Sequence, residues 1–325
     1  MSVRTMQWPV VSVVTPSLNS GQFIQEAIDS VLGQDYPHID YLVVDGGSTD
    51  KTLSFLKKRT PYVRWVSEPD RGQAAAINKG WRMAEGEIIA WLNADDLYRP
   101  GAIREAVSFL QSRPEVDMVY GNCDFIDISG NIIGSYPARP WDHAELLLRA
   151  ENFVPQPSVF LRRRVLESVG FLNENLHYAM DFEFWLRLGL EHRVAYVPHR
   201  WAAYRWHKGA KSVRGLRAMS SEIVKVYEDF FRRPNLPDGI RALKIGAMSN
   251  VFYLAANWLF WADDLIGARR YALAGWRLRP WPVSWTFLKV LVLGWSPLGV
   301  RLALALRKPL GRSSRWPDPL ILKHR

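Results

Sequence analysis

The sequence predicts an α/β protein built on a mainly parallel central sheet flanked by helices. Short β-branched runs alternate with helical stretches over residues 10–96, and three of the first four runs end in loops rich in Asp, Asn, Ser or Gly. Alternation of this kind implies right-handed βαβ units. In such sheets ligands sit outside the carboxyl ends of the strands, so those loops are where chemistry is expected.

Val10 to Thr15 (VVSVVT) reads as a buried strand running into Pro16-Ser17-Leu18-Asn19-Ser20-Gly21. Phe23, Ile24, Ala27, Ile28, Val31 and Leu32 then keep the i, i+3/i+4 spacing of a helix. Tyr41 to Val44 is a second strand, closed by Asp45-Gly46-Gly47-Ser48-Thr49-Asp50. A helix over 52–58, a strand over 63–66 and a helix over 74–84 follow. Glu87 to Leu92 is the fourth strand, ending at Asn93-Ala94-Asp95-Asp96. Pro100 suits the start of a helix over 101–112. Strands are expected at 117–120, 123–127 and 158–161, with a turn at Ser129-Gly130-Asn131, and helices at 144–149, 164–169 and 181–189. The breaker cluster Arg233-Pro234-Asn235-Leu236-Pro237-Asp238-Gly239 marks the expected boundary between a domain of residues 1–235 and a helical region of residues 240–325.

With 325 residues, 48% of them hydrophobic, the chain can bury a sizeable core. That composition excludes disordered, collagenous and disulfide-framed classes. The single cysteine, Cys123, cannot form an internal bridge. Met1 to Pro9 lacks a basic stretch followed by an apolar one, so no signal peptide is expected and the expected location is the cytoplasm. The net charge of +10 is unevenly placed: residues 1–240 hold 28 Lys/Arg against 29 Asp/Glu, and residues 241–325 hold 14 against 3 together with seven of the fifteen tryptophans. A basic, Trp-rich tail suggests an anionic partner, either a membrane surface or a nucleic acid.

Asp95-Asp96 after a buried strand is the sharpest chemical signal. Adjacent carboxylates repel unless a cation neutralises them, and Mg²⁺ or Mn²⁺ takes one or two carboxylate oxygens plus substrate phosphates. Capping of the following turn is the plainer reading. Asp45 suits the N3–H of a uracil or thymine ring or a ribose hydroxyl, and suits simple turn chemistry equally well. Gly72 would let backbone approach a ligand closely, and Arg71 would reach a phosphate unless it is only a solvated charge.

These residues resemble the family 2 glycosyltransferases, with a GT-A type of nucleotide-sugar-binding fold. VVSVVTPSLNSGQFIQEAIDSVLGQ is similar to that family's first strand and helix, and YLVVDGGSTDKT to its nucleotide-recognition strand. SEPDRGQAAAINKGWRMAEGEIIAWLNADDLYRPGAI resembles the approach to its acidic metal motif, and QPSVFLRRRVLESVGFLNENLHYAMDFEFWLRL its acceptor half. The resemblance covers about residues 8–215. It implies an inverting, metal-dependent transferase that takes its sugar from a UDP- or dTDP-sugar to a glycan or lipid-linked hydroxyl. Thr15, Pro16, Ser17 and Asn19 would border the nucleobase, with Asp45 on the uracil or ribose. Arg71, Gly72, Asn78, Lys79 and Gln156 would lie on the donor side. Asp96, assisted by Asp95, would hold Mn²⁺ or Mg²⁺ with His207, and Lys211 would help weakly with phosphate. Asp181 would be the general base, a role compatible with an N-cap; Glu183, two positions along the helix, should point elsewhere. Arg162-Arg163-Arg164 reads as a solvated run. Two departures from the family pattern are Asn93, an amide at the first metal-motif position, and Ala75, where relatives carry an acidic residue.

Other classes fit less well. A nucleotidyltransferase would show a Gly-rich, Arg/Lys-bearing loop after the first strand, and a non-catalytic binding protein on this fold would lack the base or the metal carboxylates. In the tail, helical stretches are expected at 243–261, 265–278 and 285–306. Lys289, Pro297 and Arg301 interrupt the third, which favours an interfacial helix docked on an anionic membrane face over a full span. Nucleic acid is the less favoured partner.

Overall fold

The computed structural model describes residues 8–211, 215–280 and Val290. In chain order the first half contains β1 (Val11–Ser17), α1 (Ile24–Leu32), β2 (Ile39–Asp45), α2 (Thr52–Arg59), β3 (Arg64–Ser67), α3 (Gln73–Met83), β4 (Ile88–Trp91), β5 (Leu97–Tyr98) and α4 (Ala102–Ser112). The second half contains β6 (Met118–Ile126), β7 (Ile132–Ser135), α5 (His143–Arg149), a 3-10 turn (Gln156–Ser158), β8 (Val159–Arg162), α6 (Arg164–Val169), α7 (Met180–Leu188) and β9 (Val194–Arg205). Four helices close the described chain: α8 (Leu216–Phe231), α9 (Asp238–Ala242), α10 (Lys244–Trp261) and α11 (Leu265–Leu278).

The strands form one sheet in the order β3-β2-β1-β4-β8-β6-β9-β5, with β7 on β6. The half from β3 to β4 is parallel, as the βαβ pattern predicts. Beyond it the sheet is mixed, because β8 returns antiparallel between β4 and β6 while β6 and β9 run parallel. The alternation of side chains along each strand divides the core into two layers. Val11, Val13, Tyr41 and Val43 face α1, α2 and α4, through Ile28, Leu56 and Val107. Val14, Leu42 and Val44 face the layer of α3, with Ile77 and Trp81. Strands covered on both faces need an unbroken apolar run, which is what VVSVV and YLVV supply.

Some elements differ from the sequence expectation. The strands expected at 117–120 and 123–127 are one strand, β6, bulged against β9 near Asn122. The long strand β9 and the helix α8 gave no signal. β9 carries His199, Arg200 and Arg205 among its residues, so its pattern is not apolar enough to stand out.

The two tail helices at 244–261 and 265–278 are as expected. Residues Ala247, Val251 and Ala255 of α10 share the α3-side core with Ile223 and Tyr227 of α8. The Tyr227 hydroxyl donates to the Leu147 carbonyl (2.8 Å) and Asn250 Nδ2 to the Leu148 carbonyl (2.6 Å), tying both helices to α5. The stretch expected at 285–306 lies outside the described residues apart from Val290. Among the described residues no helix is long and apolar enough to cross a membrane.

Candidate active site

The parallel register brings the ends of β1, β2 and β4 together: Ser17 pairs with Asp45, and the Leu92 N–H donates to the Val14 carbonyl (2.9 Å). From this edge the Asn93-Ala94-Asp95-Asp96 loop leaves the sheet, and β9 crosses beside it. Asp96 is buried. Its Oδ1 accepts the Arg205 N–H (2.9 Å) and its Oδ2 accepts from Asn93 Nδ2 (3.0 Å). Burial first, and the neighbouring Asp95 charge next, push the Asp96 carboxyl well above the usual range. Asp95 is the more open of the two, and its Oδ2 lies 3.0 Å from His207 Nε2. His207 Nδ1 accepts the Gly209 N–H (3.2 Å), so Nε2 is the ring nitrogen that faces Asp95.

The structure separates the two aspartates of the expected metal motif. Asp95, not Asp96, shares a space with His207, because both Asp96 oxygens are turned into β9 and the loop. One carboxylate oxygen and one imidazole nitrogen make a partial donor set for a hard divalent ion. Among the described residues no three His, Cys, Asp or Glu side chains converge in a metal-binding group, so a bound diphosphate would have to complete the shell.

Asn93 explains the amide at the first motif position. Its Nδ2 donates both to Asp96 Oδ2 and to Gln156 Oε1 (3.1 Å), which a carboxylate could not do. Its Oδ1 accepts from Gln73 Nε2 (2.7 Å), and Gln73 Oε1 accepts from Lys211 Nζ (2.8 Å). Gln156 Nε2 closes the chain on the Trp91 carbonyl (2.7 Å). A continuous polar relay thus runs from Lys211 through Gln73, Asn93 and Gln156 to the strand end.

Asp45 is fully buried at the end of β2. Its Oδ2 accepts the Gly47 N–H (3.1 Å), the Ser48 N–H (2.8 Å) and the Ser67 hydroxyl (2.7 Å), and Oδ1 accepts the Ser48 hydroxyl (2.5 Å). Asn19, at φ 50°, ties the first loop to the same turn: its Oδ1 accepts the Thr49 N–H (2.9 Å), and its own N–H donates to Ser48 Oγ (2.7 Å). Thr15 is buried and shares a hydrogen bond with the Tyr41 hydroxyl (3.1 Å). Pro16 and Ser17 are buried as the last residues of β1, and among the described residues Ser17 Oγ has no partner. Arg71 is exposed, and Gly72 sits at φ 121°, a conformation that favours glycine.

Two further expected donor residues bond other parts of the chain. Asn78 is buried and exchanges hydrogen bonds with the Leu172 main chain (2.9 and 3.0 Å), because α3 turns it toward the 171–174 loop. Lys79 pairs with Glu68. Arg162, Arg163 and Arg164 are not a free run either: they donate to the carbonyls of Val116, Gly86 and Pro114, and Arg164 pairs with Asp117.

Asp181 is the second residue of α7. Its Oδ2 accepts from Asn152 Nδ2 (3.0 Å), and Ala179, not Asp181, occupies the cap position. Burial raises its carboxyl from the usual 3.8 to about 6, against the lowering effect of the N–H groups of Phe182 and Asp181 and of Asn152. Glu183 is held in a bidentate pair with Arg187 (2.7 and 2.9 Å), which removes it as a rival base. Arg205, Gln73, Asn152 and Glu222 are not among the residues expected from the sequence. Only Arg205, a charge inside an otherwise apolar Trp-Ala-Ala-Tyr-Arg-Trp run, offered a hint.

A family model described as glycosyl transferase family 2 matches residues 12–170. An uncharacterized glycosyltransferase of Nostoc sp. is 31% identical over 170 residues, covering 49% of this chain and 52% of that protein. Chondroitin synthase of Escherichia coli is 29% identical over 183 residues, covering 55% of this chain and 26% of that protein. The chain thus spans less than two thirds of the length of these relatives. Among solved structures, S. aureus TarS 1-349 in complex with UDP-GlcNAc superposes with a TM-score of 0.62 at 17% identity, covering 86% of this chain and 90% of that one. The mannosyltransferase PcManGT from Pyrobaculum calidifontis, in complex with GDP-Man and Mn²⁺, gives 0.62 at 22% identity, covering 94% and 82%. These two structures share the fold.

Proposed function

We propose, from the match of residues 12–170 to the glycosyl transferase family 2 model, that the chain transfers a sugar from a nucleotide-sugar to an acceptor hydroxyl with inversion, Asp181 acting as general base. The observation that carries this reading is the Asp181 carboxyl, raised to about 6 and oriented by Asn152. A base poised near neutrality is suited to taking a hydroxyl proton. The acceptor oxygen bonds to the anomeric carbon from the face opposite the diphosphate, the carbon–oxygen bond to the diphosphate breaks, and the hydroxyl proton passes to Asp181.

Asp95 and His207 are the residues that would hold Mn²⁺ or Mg²⁺, and the Mn²⁺ in the PcManGT complex supports the choice of ion. Such an ion neutralises charge growing on the leaving diphosphate. Lys211, linked through Gln73 to Asn93, adds a cation on the same side. Asp45 and Asn19 order the nucleoside loop, and the UDP-GlcNAc of the TarS complex supports a uridine- or thymidine-based donor. Residues 8–235 would form the transferase unit, with α10 and α11 packed onto it.

A glycan or lipid-linked acceptor fits a protein that docks on an anionic membrane face. The outward side of α11 supports docking: Ile266 is 83% exposed, and Leu273 is exposed with Arg270 and Arg277. The deciding experiment is a panel of nucleotide sugars, including UDP-GlcNAc and GDP-Man, with Mn²⁺. One donor should be turned over, with an inverted anomer in the product by NMR and no turnover in Asp181→Asn. Retained configuration, or full turnover in that variant, would overturn the reading.

A further inference from the structure

We propose that Glu222 is the positioning residue of the base: from α8 its carboxylate grips the three main-chain N–H groups that lead into α7, and so fixes where Asp181 stands. This rests on the reading of Asp181 given above.

Glu222 Oε2 accepts the His177 N–H (2.9 Å), and Oε1 accepts the N–H groups of Tyr178 and Ala179 (2.6 Å each). A helix leaves its first N–H groups without partners inside itself, and Ala179 has no side chain able to cap α7. Glu222 accepts the N–H of that cap residue, Ala179, and of the two residues before it, from a helix more than forty residues away in sequence. Short bonds to an ionised acceptor are the strong kind, and three from one carboxylate leave the segment little freedom.

A second contact presses the same segment onto α8. A Cβ at Gly215, the residue before α8, would fall 2.1 Å from the Tyr178 ring, so the ring lies directly on that backbone. The helix is itself fixed: Ser220 Oγ donates to the Ala255 carbonyl of α10 (3.3 Å), and Tyr227 bonds α5. On its other side the segment meets the donor loop, where a Cβ at Gly72 would lie 3.5 Å from His177 Nδ1. Glu222 therefore anchors a strip of chain with the donor loop at one end and the base at the other. No motif marks it, because its partners are main-chain atoms.

Asp181 is faced by Glu222 from α8, by Tyr136 after β7 and by Asn152 from the loop before the 3-10 turn, and Lys211 is the cation that faces Glu222. The Glu222 charge adds to burial in raising the Asp181 carboxyl. Glu222→Gln keeps the size, removes the charge and sets an amide N–H against that of His177. Glu222→Asp keeps the charge and loses reach.

The test compares the full chain with E222Q, E222D and D181N, using the donor found in the panel with Mn²⁺. Both Glu222 variants should lower kcat about 10–100-fold, the loss that follows displacement of a reacting group by about 1 Å, with KM for the donor unchanged. In E222Q the acidic limb of the kcat–pH profile should also move to lower pH, whereas in E222D it should stay near that of the wild type. Carbon NMR of the Asp181 carboxyl, assigned with D181N, reads the same shift without turnover. Wild-type kcat and an unmoved limb in a folded E222Q would overturn the proposal, and if E222Q does not fold, wild-type kcat in E222D does so. Should D181N itself remain active, the base assignment fails instead, which separates the two outcomes.

Discussion

Arg205 holds the metal-motif loop by its main chain. Its Nε donates to the Asp95 carbonyl (2.9 Å), and its own N–H donates to Asp96 Oδ1 (2.9 Å). The rest of the guanidinium reaches the carbonyls of Asp127 and Ile128 (3.1 Å each) and pairs with Glu26 on α1 (2.8 Å), with no exposed surface on the side chain. Two residues further on, the same strand exit delivers His207 to Asp95. Placement of the two candidate ligands thus depends on one buried arginine.

Arg205→Leu should cost about 3–5 kcal/mol of stability, the range for breaking a buried charged network, because three carbonyls lose their donor. Urea unfolding measures this, and a loss under about 1 kcal/mol would show that water replaces the guanidinium. Arg205→Lys should recover only part, since an ammonium cannot reproduce the fork.

Asp95→Asn and His207→Ala should each weaken UDP binding in the presence of Mn²⁺ and leave metal-free binding unchanged, as read by calorimetry. Asp96→Asn should act chiefly on stability, because both of its oxygens accept from fixed donors and an amide nitrogen would oppose one of them. If Asp96→Asn instead removes only the Mn²⁺ effect, the ligand assignment returns to Asp96.

Asn93→Asp should destabilise by about 1–3 kcal/mol, the cost of a buried polar group left unsatisfied. It removes the donor shared by Asp96 and Gln156 and brings a third carboxylate to the loop. Thermal unfolding at neutral pH measures the loss, which should shrink as acid neutralises the carboxylates.

The Asp181 carboxyl titrates near 6 in the folded chain against the usual 3.8. Burial penalises its ionised form, so it costs nothing below about pH 4, and the cost grows as pH rises from there through 6. Asp181→Asn should therefore be more stable than the wild type at pH 7.5, by on the order of 1–3 kcal/mol, and the gap should close toward pH 4. Turnover has the opposite dependence: the base works ionised, so kcat should fall as pH drops through about 6. A gap independent of pH would place the raised carboxyl elsewhere.

The full chain should float with vesicles containing phosphatidylglycerol and not with phosphatidylcholine alone, and added salt should weaken flotation. Arg270→Glu with Arg277→Glu should reduce it, while retention on DNA at equal strength would favour a nucleic acid instead. Point variants are the right tool. Removing residues 241–325 would strip α10 from the core it shares with Ile223 and Tyr227.

The sequence by itself determined the parallel half of the sheet, since unbroken apolar strands and amphipathic helices follow from local periodicity. It also marked the loops at Asp45 and at Asn93 to Asp96, because carboxylates that follow apolar runs are visible without a structure, whereas Asp181 was marked only by the family resemblance. What it did not reveal depends on contacts between distant residues. Asn78 and Lys79 belong to the same stretch as the donor-loop residues Gly72 and Gln73, yet one turn of α3 directs them to Leu172 and Glu68. The choice between Asp95 and Asp96, the strand β9 that brings Arg205 and His207, and the grip of Glu222 on residues 177–179 are tertiary decisions. Each requires chain segments more than forty residues apart to meet, and the hydrogen bonds that fix them are made largely by main-chain groups, which every residue possesses and no motif records.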